Sequence, residues 1–292
     1  MKEQGLGRQT TALGKGRWLL LAAMVVLLPA CSLKMMYNNA DRFIRWQIND
    51  YVDLNPEQRT FLNTQISATL EWHRQNHLPL YSAYFLNLSA QVEDGLTPNK
   101  IRQLIDQFMV WGEEIEYQTM PVVIEFLTSM TDEQVAALPE RLAEGNREFA
   151  EDELEGDLAD HQAQWATDFT DVIARFTGRL SDDQKAYIER RATAYQPERL
   201  LWIAYRERWQ EDLLVLLEAR EEPGFADAFR QLVGDREKYY GPEFTRVSKE
   251  NEALGIEMTA YVFSNLSERQ TRRFSATLQE WGEDFAELAE QT

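Results

Sequence analysis

The sequence predicts an all-α protein, an irregular bundle of about ten helices. Alternation of apolar and polar residues between Asn-Gly or Asp-Gly turns, the usual sign of strands, is not sustained anywhere along the chain. Apolar residues instead recur at the spacing of one helix face, as in Leu62, Ile66 and Leu70. A helix-start pattern also recurs five times, and it places several helices along the chain.

Each start has an apolar residue, then a Ser, Thr or Asn that can cap a helix, then acids or proline in the first turn. In four starts a Gln follows three residues after the cap, where it can reach back to the cap's own N–H. Two copies also share a Trp-Gly-Glu run, beginning at Trp111 and Trp281. Two interpretations stay open, a duplicated helical unit or the common form of a capped amphipathic helix. The starts are Leu54–Gln58, Leu96–Lys100, Met130–Gln134, Leu180–Gln184 and Leu266–Gln270.

These signals and the helical spacing divide the chain into helices with short connections. A kink is expected near Pro121 and an interruption near Pro139, because proline removes a helical hydrogen bond. No flexible tether between domains is apparent, so residues 31–292 are expected to form a single domain. The expected helices are 35–52, 55–77, 79–93, 97–129, 131–150, 160–177, 181–195, 197–220, 224–233, 242–264 and 267–290.

The first 31 residues have the three zones of a signal peptide. A basic start precedes an unbroken apolar run from Trp18 to Leu28, which is too short to cross a hydrocarbon core of ~30 Å. Leu28-Pro29-Ala30 then leads into Cys31, the only cysteine in the chain. The segment resembles the lipobox of bacterial lipoproteins, which implies cleavage between Ala30 and Cys31 and attachment of diacylglycerol and an N-acyl chain to Cys31. An uncleaved anchor helix and an ordinary export signal are the alternatives.

The same resemblance implies a location. Residues 1–30 are expected to be removed, and acyl chains on Cys31 are expected to hold the protein on a membrane, each buried methylene contributing about 0.8 kcal/mol. Ser32 follows the cysteine, and an Asp does not. In Gram-negative lipoproteins this implies transfer to the periplasmic face of the outer membrane. Only a short linker is expected between Cys31 and the first helix, which would keep the body close to the membrane.

The composition is strongly acidic. Without residues 1–30 the chain has 26 Lys and Arg against 48 Asp and Glu, a net charge of −22. Such a surface repels nucleic acid and anionic headgroups, so nucleic acid is not an expected partner and the lipid is the expected membrane attachment. With no cysteine after Cys31, no disulfide can form within the body, and apolar burial must supply the stability.

His73 and His77 stand four residues apart, so a helix would place both imidazoles on one face. That spacing occurs in divalent-metal sites, with a third ligand such as His161 or a carboxylate. Arg74 would oppose a cation there, and the stretch lacks the Glu of the zinc-protease pattern. Two partly buried histidines with hydrogen-bond partners are therefore the favoured interpretation. A metal-dependent hydrolase centred on them is the enzymatic alternative.

Aromatic residues cluster in the N-terminal third and are candidates for a binding surface, although core packing is favoured. An acidic run at 148–160 lacks the glycine of a calcium loop and is interpreted as a solvated face. The sequence contains no nucleotide-binding glycine loop and no Gly-x-Ser-x-Gly, so no catalytic residue is assigned and no cofactor is expected. The aromatic candidates are Trp46, Tyr51, Trp72, Tyr81 and Tyr84.

Two resemblances extend these expectations. One set of residues comprises Tyr37, Asp41, Trp46, Asp50-Tyr51, Asp53-Leu54, Gln58, Trp72-His73-Arg74 and Leu78-Pro79-x-Tyr81. This set resembles a family of proteobacterial lipoproteins of unknown function, which implies a location and a helical fold but no activity. The Leu-Ser/Thr-x-x-Gln starts are similar to the signature of small periplasmic stress chaperones, which implies a holdase as an alternative. The leading hypothesis is a non-enzymatic lipoprotein that binds another envelope protein.

Overall fold

The protein is an all-α bundle, as the sequence predicts. The computed structural model describes residues 30–151 and 156–291, of which 85% are helical, and these two segments contain no strand. Short 3₁₀ helices occur at Val92–Asp94 and Arg236–Tyr239. The α-helices are α1 (Ala30–Tyr37), α2 (Ala40–Tyr51), α3 (Pro56–Asn76), α4 (Leu78–Ala90), α5 (Pro98–Thr128), α6 (Asp132–Glu151), α7 (Leu158–Thr177), α8 (Asp182–Ala192), α9 (Arg199–Glu218), α10 (Phe225–Gly234), α11 (Pro242–Ser264) and α12 (Glu268–Glu290).

The N-terminal helices differ from the prediction. The prediction of a single helix over 35–52 is wrong, because the chain turns at Asn38 and Asn39, between α1 and α2. The prediction of a linker after Cys31 is also wrong, since α1 already begins at Ala30. An isolated helix of eight residues is marginal in water. Burial of Leu33 in the core and packing of α1 on α12 stabilise it here.

Two prolines lie inside continuous helices. The predicted interruption near Pro139 is wrong, because α6 runs through that residue, and α5 likewise continues through Pro121. Both prolines are on the exposed side of their helix. There the carbonyl that loses its N–H partner can be hydrated, while Leu138 and Ile124 of the same helices are buried in the core.

The core has two parts, and α5 joins them. One part lies among α1, α4, α7, α8, α11 and α12, with Leu78, Phe285 and Leu288 fully enclosed. The other lies among α3, α6, α9 and α10. Helix α5, about 45 Å long at 1.5 Å per residue, contributes Ile101 to the first part and Ile124 to the second. None of the helices in the described segments is long and apolar enough to cross a membrane.

The four helix starts that contain a Gln form two pairs, and the Gln side chains make the contacts within each pair. Gln58 and Gln134 exchange hydrogen bonds, Nε2 to Oε1, at 2.9 and 2.7 Å. Gln184 and Gln270 do the same at 3.5 and 2.9 Å. Each Oε1 also accepts the N–H of its own cap, as the sequence predicts for a capping box. One glutamine therefore caps its own helix and joins it to a second.

Each Gln Nε2 also donates to the backbone carbonyl two residues before the partner's cap. The acceptors are the carbonyls of Ser129, Asp53, Asn265 and Arg179, for Gln58, Gln134, Gln184 and Gln270 in that order. The fifth start has a lysine in place of the glutamine, and the Lys100 ammonium donates to the Gly95 carbonyl of its own turn. The same set of bonds thus occurs twice in the fold. A duplicated unit predicts this repeat, and a lone capped helix does not require it.

Helices α4 and α12 form the most extensive helix pair, and Gly282 lies at their contact. A Cβ on Gly282 would lie 2.6 Å from Leu86 Cγ and 3.2 Å from the Leu86 backbone N. Gly112 is the equivalent residue of the other Trp-Gly-Glu run, and a Cβ there meets nothing within 4 Å. The absence of a side chain at Gly282 therefore allows the two helices to approach closely.

The two glycines should respond to alanine with opposite signs. Gly282→Ala should destabilise the fold by about 1–3 kcal/mol, because the new methyl group overlaps Leu86. Gly112→Ala should stabilise it by about 0.5–1 kcal/mol through helix propensity alone. Urea unfolding of both variants measures the difference, and equal effects would contradict the close approach.

The paired glutamines should be energetically coupled. Gln184→Ala and Gln270→Ala should each cost about 1–3 kcal/mol, because each leaves a buried amide and a carbonyl without a bond. The double variant should cost less than the sum by at least ~0.5 kcal/mol. Lys100→Ala, at the start whose N3 residue is not a glutamine, is the matched control and should change little. Additive costs in urea unfolding would show that the pair acts as two independent caps.

Candidate functional site: the histidine–tyrosine cluster and the outer face of α5

Helix α1 is fixed to the body at three points. Leu33 is buried against the first part of the core. Lys34 Nζ lies 2.8 Å from Asp284 Oδ1 and 2.5 Å from Glu287 Oε2 on α12, and the two carboxylates raise the pKa of Lys34. The Tyr37 hydroxyl reaches α3, where it donates to the Leu70 carbonyl at 3.2 Å. The segment directly after Cys31 is therefore part of the folded body.

Tyr37 is also the first member of a polar chain that links α1, α3, α4 and α5. Its hydroxyl lies 3.0 Å from His73 Nδ1. The Tyr81 hydroxyl lies 3.2 Å from His73 Nε2 and 3.4 Å from His77 Nδ1. The last ring nitrogen, His77 Nε2, is 3.7 Å from the Glu114 carboxylate on α5. The two imidazoles stack with their planes 4° apart and their centroids 5.2 Å apart.

Burial keeps both histidines neutral. Desolvation lowers the pKa of His73 to about 4, and the neighbouring His77 and Arg74 act in the same direction. Desolvation also lowers the pKa of His77, although the nearby Glu114 partly opposes this. Burial raises the pKa of Tyr37 to about 12 and raises that of Tyr81 as well. Near neutral pH the cluster therefore consists of uncharged rings that are joined by hydrogen bonds.

His73 is partly buried and His77 is buried, and their ring nitrogens face tyrosine hydroxyls. Three of the four ring nitrogens lie within hydrogen-bond distance of a tyrosine hydroxyl. In the described segments no group of three or more His, Cys, Asp or Glu side chains has a metal-binding arrangement, so His161 does not complete a site with His73 and His77. The hydrolase alternative gains no third ligand from the structure.

The five aromatic candidates do not form one surface. Trp72, Tyr81 and Tyr84 gather around the histidines and Trp111, with Tyr81 and Tyr84 at 4.6 and 5.3 Å from the Trp111 ring. Tyr51 packs against the second part of the core. Trp46 is on α2 and is 56% exposed. Tyr51, Trp72, Tyr81 and Tyr84 are partly buried, whereas Trp46 is exposed.

The sequence reasoning missed the outer face of α5, which adjoins the cluster at Glu114. Met109 and Val110 are exposed there, and Tyr117 is 83% exposed. Asp106 and Glu113 are on the same exposed side. One signal could have found it, because Tyr117 follows Asp106, Val110 and Glu113 at the i, i+4, i+7 and i+11 spacing of one helix side. Because that side contains both apolar and acidic residues, the apolar spacing alone does not reveal the face.

The predicted acidic run has a partly structural role. Asp157 caps α7 by accepting the N–H groups of Ala159 and Asp160, and Asp160 reaches back to the N–H of Asp157. Residues 152–155 of the run lie outside the described residues. The predicted signal peptide also lies outside them up to residue 29, as does the side chain of Cys31.

Comparison with protein-family models matches the chain to a family. The model of a family of unknown function, DUF6279, matches residues 50–245. The chain belongs to this family. No curated protein and no solved structure matches the chain. Membership of a family of unknown function is what the sequence resemblance implies, whereas lipidation of Cys31 stays a prediction.

The DUF6279 match covers the second part of the core and one complete glutamine pair. It contains both Gln58 and Gln134, but of the second pair it includes Gln184 alone. Tyr37 and helices α1 and α12 lie beyond it. His73, His77, Tyr81, Glu114 and the outer face of α5 are inside the matched region.

Because the histidines are neutral in the folded protein, the free energy of unfolding should decrease as the pH falls. A base whose pKa is lower in the folded state than in the unfolded state contributes stability above its unfolded pKa, and this is lost as the pH falls. For His73 the unfolded value is 6.5 and the folded value about 4. Between pH ~7.5 and ~5 the free energy of unfolding should fall by about 2 kcal/mol because of His73. His73→Gln should flatten the pH profile of urea unfolding. An unchanged profile in His73→Gln would contradict the assignment.

Proposed function

We propose that this protein is a lipid-anchored protein of the outer membrane's periplasmic face, which binds an envelope protein and catalyses no reaction. The signal-peptide pattern and the lipobox that ends at Cys31 support the location. The docked helix α1 supports a close attachment, because it leaves almost no free chain between Cys31 and Leu33. The partner would therefore be bound near the membrane.

The outer face of α5 carries the proposal of a protein partner. Met109 is 55% exposed and Tyr117 more so, with Val110 between them. Exposed apolar residues that share one helix side and have charged neighbours are typical of surfaces that bind another protein. Tyrosine and methionine are enriched in such interfaces.

The charge around this face defines the partner's chemistry. Asp106, Glu113 and Glu114 flank the apolar residues and are exposed. The whole chain is acidic as well, with 49 Asp and Glu against 30 Lys and Arg. Such a field attracts a cationic partner and fixes its orientation on contact. The expected occupant is an amphipathic protein segment with apolar and basic residues.

Site-specific crosslinking in cells tests this proposal. A photoreactive amino acid in place of Tyr117 should trap a discrete partner. The same residue in place of Val215, which is 67% exposed on α9, should not. Charge reversal in Asp106→Lys/Glu113→Lys should remove the crosslinked product, because it repels a basic segment. Mass spectrometry of the Cys31 peptide tests the anchor separately.

Four results would contradict the proposal. No product at position 117 would remove the binding face, and equal products at positions 117 and 215 would show that capture is unspecific. A product that survives the charge reversal would contradict the basic partner. An unmodified Cys31 would contradict the lipid anchor.

A holdase-type chaperone is the second candidate, and the same exposed residues Met109, Val110 and Tyr117 favour it. A holdase binds many unfolded clients, whereas a docking protein selects one partner. Suppression of the aggregation of a model client at near-stoichiometric amounts of the purified protein would support the holdase. No suppression, together with a discrete crosslinked partner, would support the docking protein.

A further inference from the structure

One side of helix α2 contains large apolar residues but is not covered by another helix of the described chain. Trp46 and Phe43 are exposed, with their ring centroids 5.8 Å apart. None of the residues of α2 is buried. The helix packs on α3 and α6, with Ile48 and Tyr51 against the second part of the core. The Phe43–Trp46 side therefore has no covering element in the described chain.

Two basic residues lie near Phe43 and Trp46. Arg42 is exposed and stands four residues before Trp46, on the same side of α2. Arg59 projects from α3 into a cleft of ≈ 350 Å³ between α2 and α3. Neither Arg42 nor Arg59 forms an ion pair with a carboxylate among the described residues, whereas Arg45 beside them pairs with Asp41.

The charge of this region differs from that of the rest of the chain. Over residues 30–51 there are three basic residues and two acidic ones, a net charge of +1, while the whole chain has a net charge of −19. The region also contains Cys31. Helix α1 rises only about 12 Å over its eight residues, and a two-residue turn then leads to α2, so α2 begins within about 20 Å of Cys31.

We propose that the Phe43–Trp46 side of α2, together with Arg42 and Arg59, lies on the surface of an anionic lipid bilayer. The inference rests on the proposed function, since acyl chains on Cys31 would bring α1 and α2 to the membrane. Tryptophan rings are favoured at the level of lipid headgroups, and arginine binds the headgroup phosphates. The bilayer is favoured over a second protein because the anchor and the aromatic residues belong to the same short stretch of chain.

This contact would fix the orientation of the protein as well as its distance from the membrane. The acidic remainder of the body is repelled by anionic headgroups, over a Debye length of ~8 Å at physiological salt. The Arg42 and Arg59 guanidinium groups are attracted at the same range, whereas the exposed Asp50 on the same side of α2 is repelled. The bilayer would therefore select the orientation in which α2 faces the lipid.

Depth-dependent fluorescence of the anchored protein tests the inference. The full chain, purified with its own lipid, is placed in phosphatidylglycerol-containing vesicles with a fluorescent amino acid in place of Asn49, one turn from Trp46. Lipids with brominated acyl chains should quench this label. Phe43→Ser/Trp46→Ser should abolish the quenching, and the matched exposed variant Val215→Ser should leave it unchanged. Arg42→Glu/Arg59→Glu, or vesicles of phosphatidylcholine alone, should weaken it.

The outcomes separate this inference from the proposed function. A lipidated Cys31 with an unquenched label would overturn the inference and leave the anchor intact. A label that is shielded from aqueous iodide but not quenched by brominated lipid would show a protein contact, such as a second copy of the chain, and would also overturn it. Quenching that survives Phe43→Ser/Trp46→Ser would show that other residues contact the bilayer. An unmodified Cys31 would overturn the proposed function and the inference with it.

Discussion

The four paired glutamines determine where the main helices begin relative to one another. Each amide oxygen closes the capping box of its own helix, and each amide nitrogen bonds the partner's glutamine and a carbonyl before the partner's cap. Most of these atoms are buried, so an incorrect register would leave several of them without a bond. One pair sets α3 against α6 in the second part of the core, and the other sets α8 against α12 in the first. Helix α5 then connects the two parts.

The histidine–tyrosine cluster extends this framework to the N-terminus. Tyr37 on α1 contacts His73 on α3, and Tyr81 on α4 contacts both histidines. Lys34 adds a polar contact with α12. If Cys31 is lipidated, these contacts make the anchor continuous with the body, and the outer face of α5 is then held at a fixed place relative to the membrane.

The sequence predicts the fold class, the helix starts and the capping glutamines, because these depend on neighbouring residues along one helix. It does not predict that the glutamines pair, since Gln58 and Gln134 meet only through tertiary packing. It also misses α1, where an eight-residue helix is stabilised by Leu33 and by contacts with α12 far along the chain. For the candidate site, the helical spacing places His73 and His77 on one face. The tyrosine partners that occupy their ring nitrogens come from other helices and are not visible in the local sequence.

The residues directly after Cys31 belong to the rigid body, because Leu33 and Lys34 join α1 to the core and to α12. Amide hydrogen exchange of the lipidated protein tests this most directly, because an undocked helix of eight residues would open freely. We expect the amides of Met35, Met36 and Tyr37 to exchange slowly, at rates comparable to those of the buried amides of α12. Exchange at open-chain rates in these residues, with α12 still protected, would instead show that a flexible tether follows Cys31.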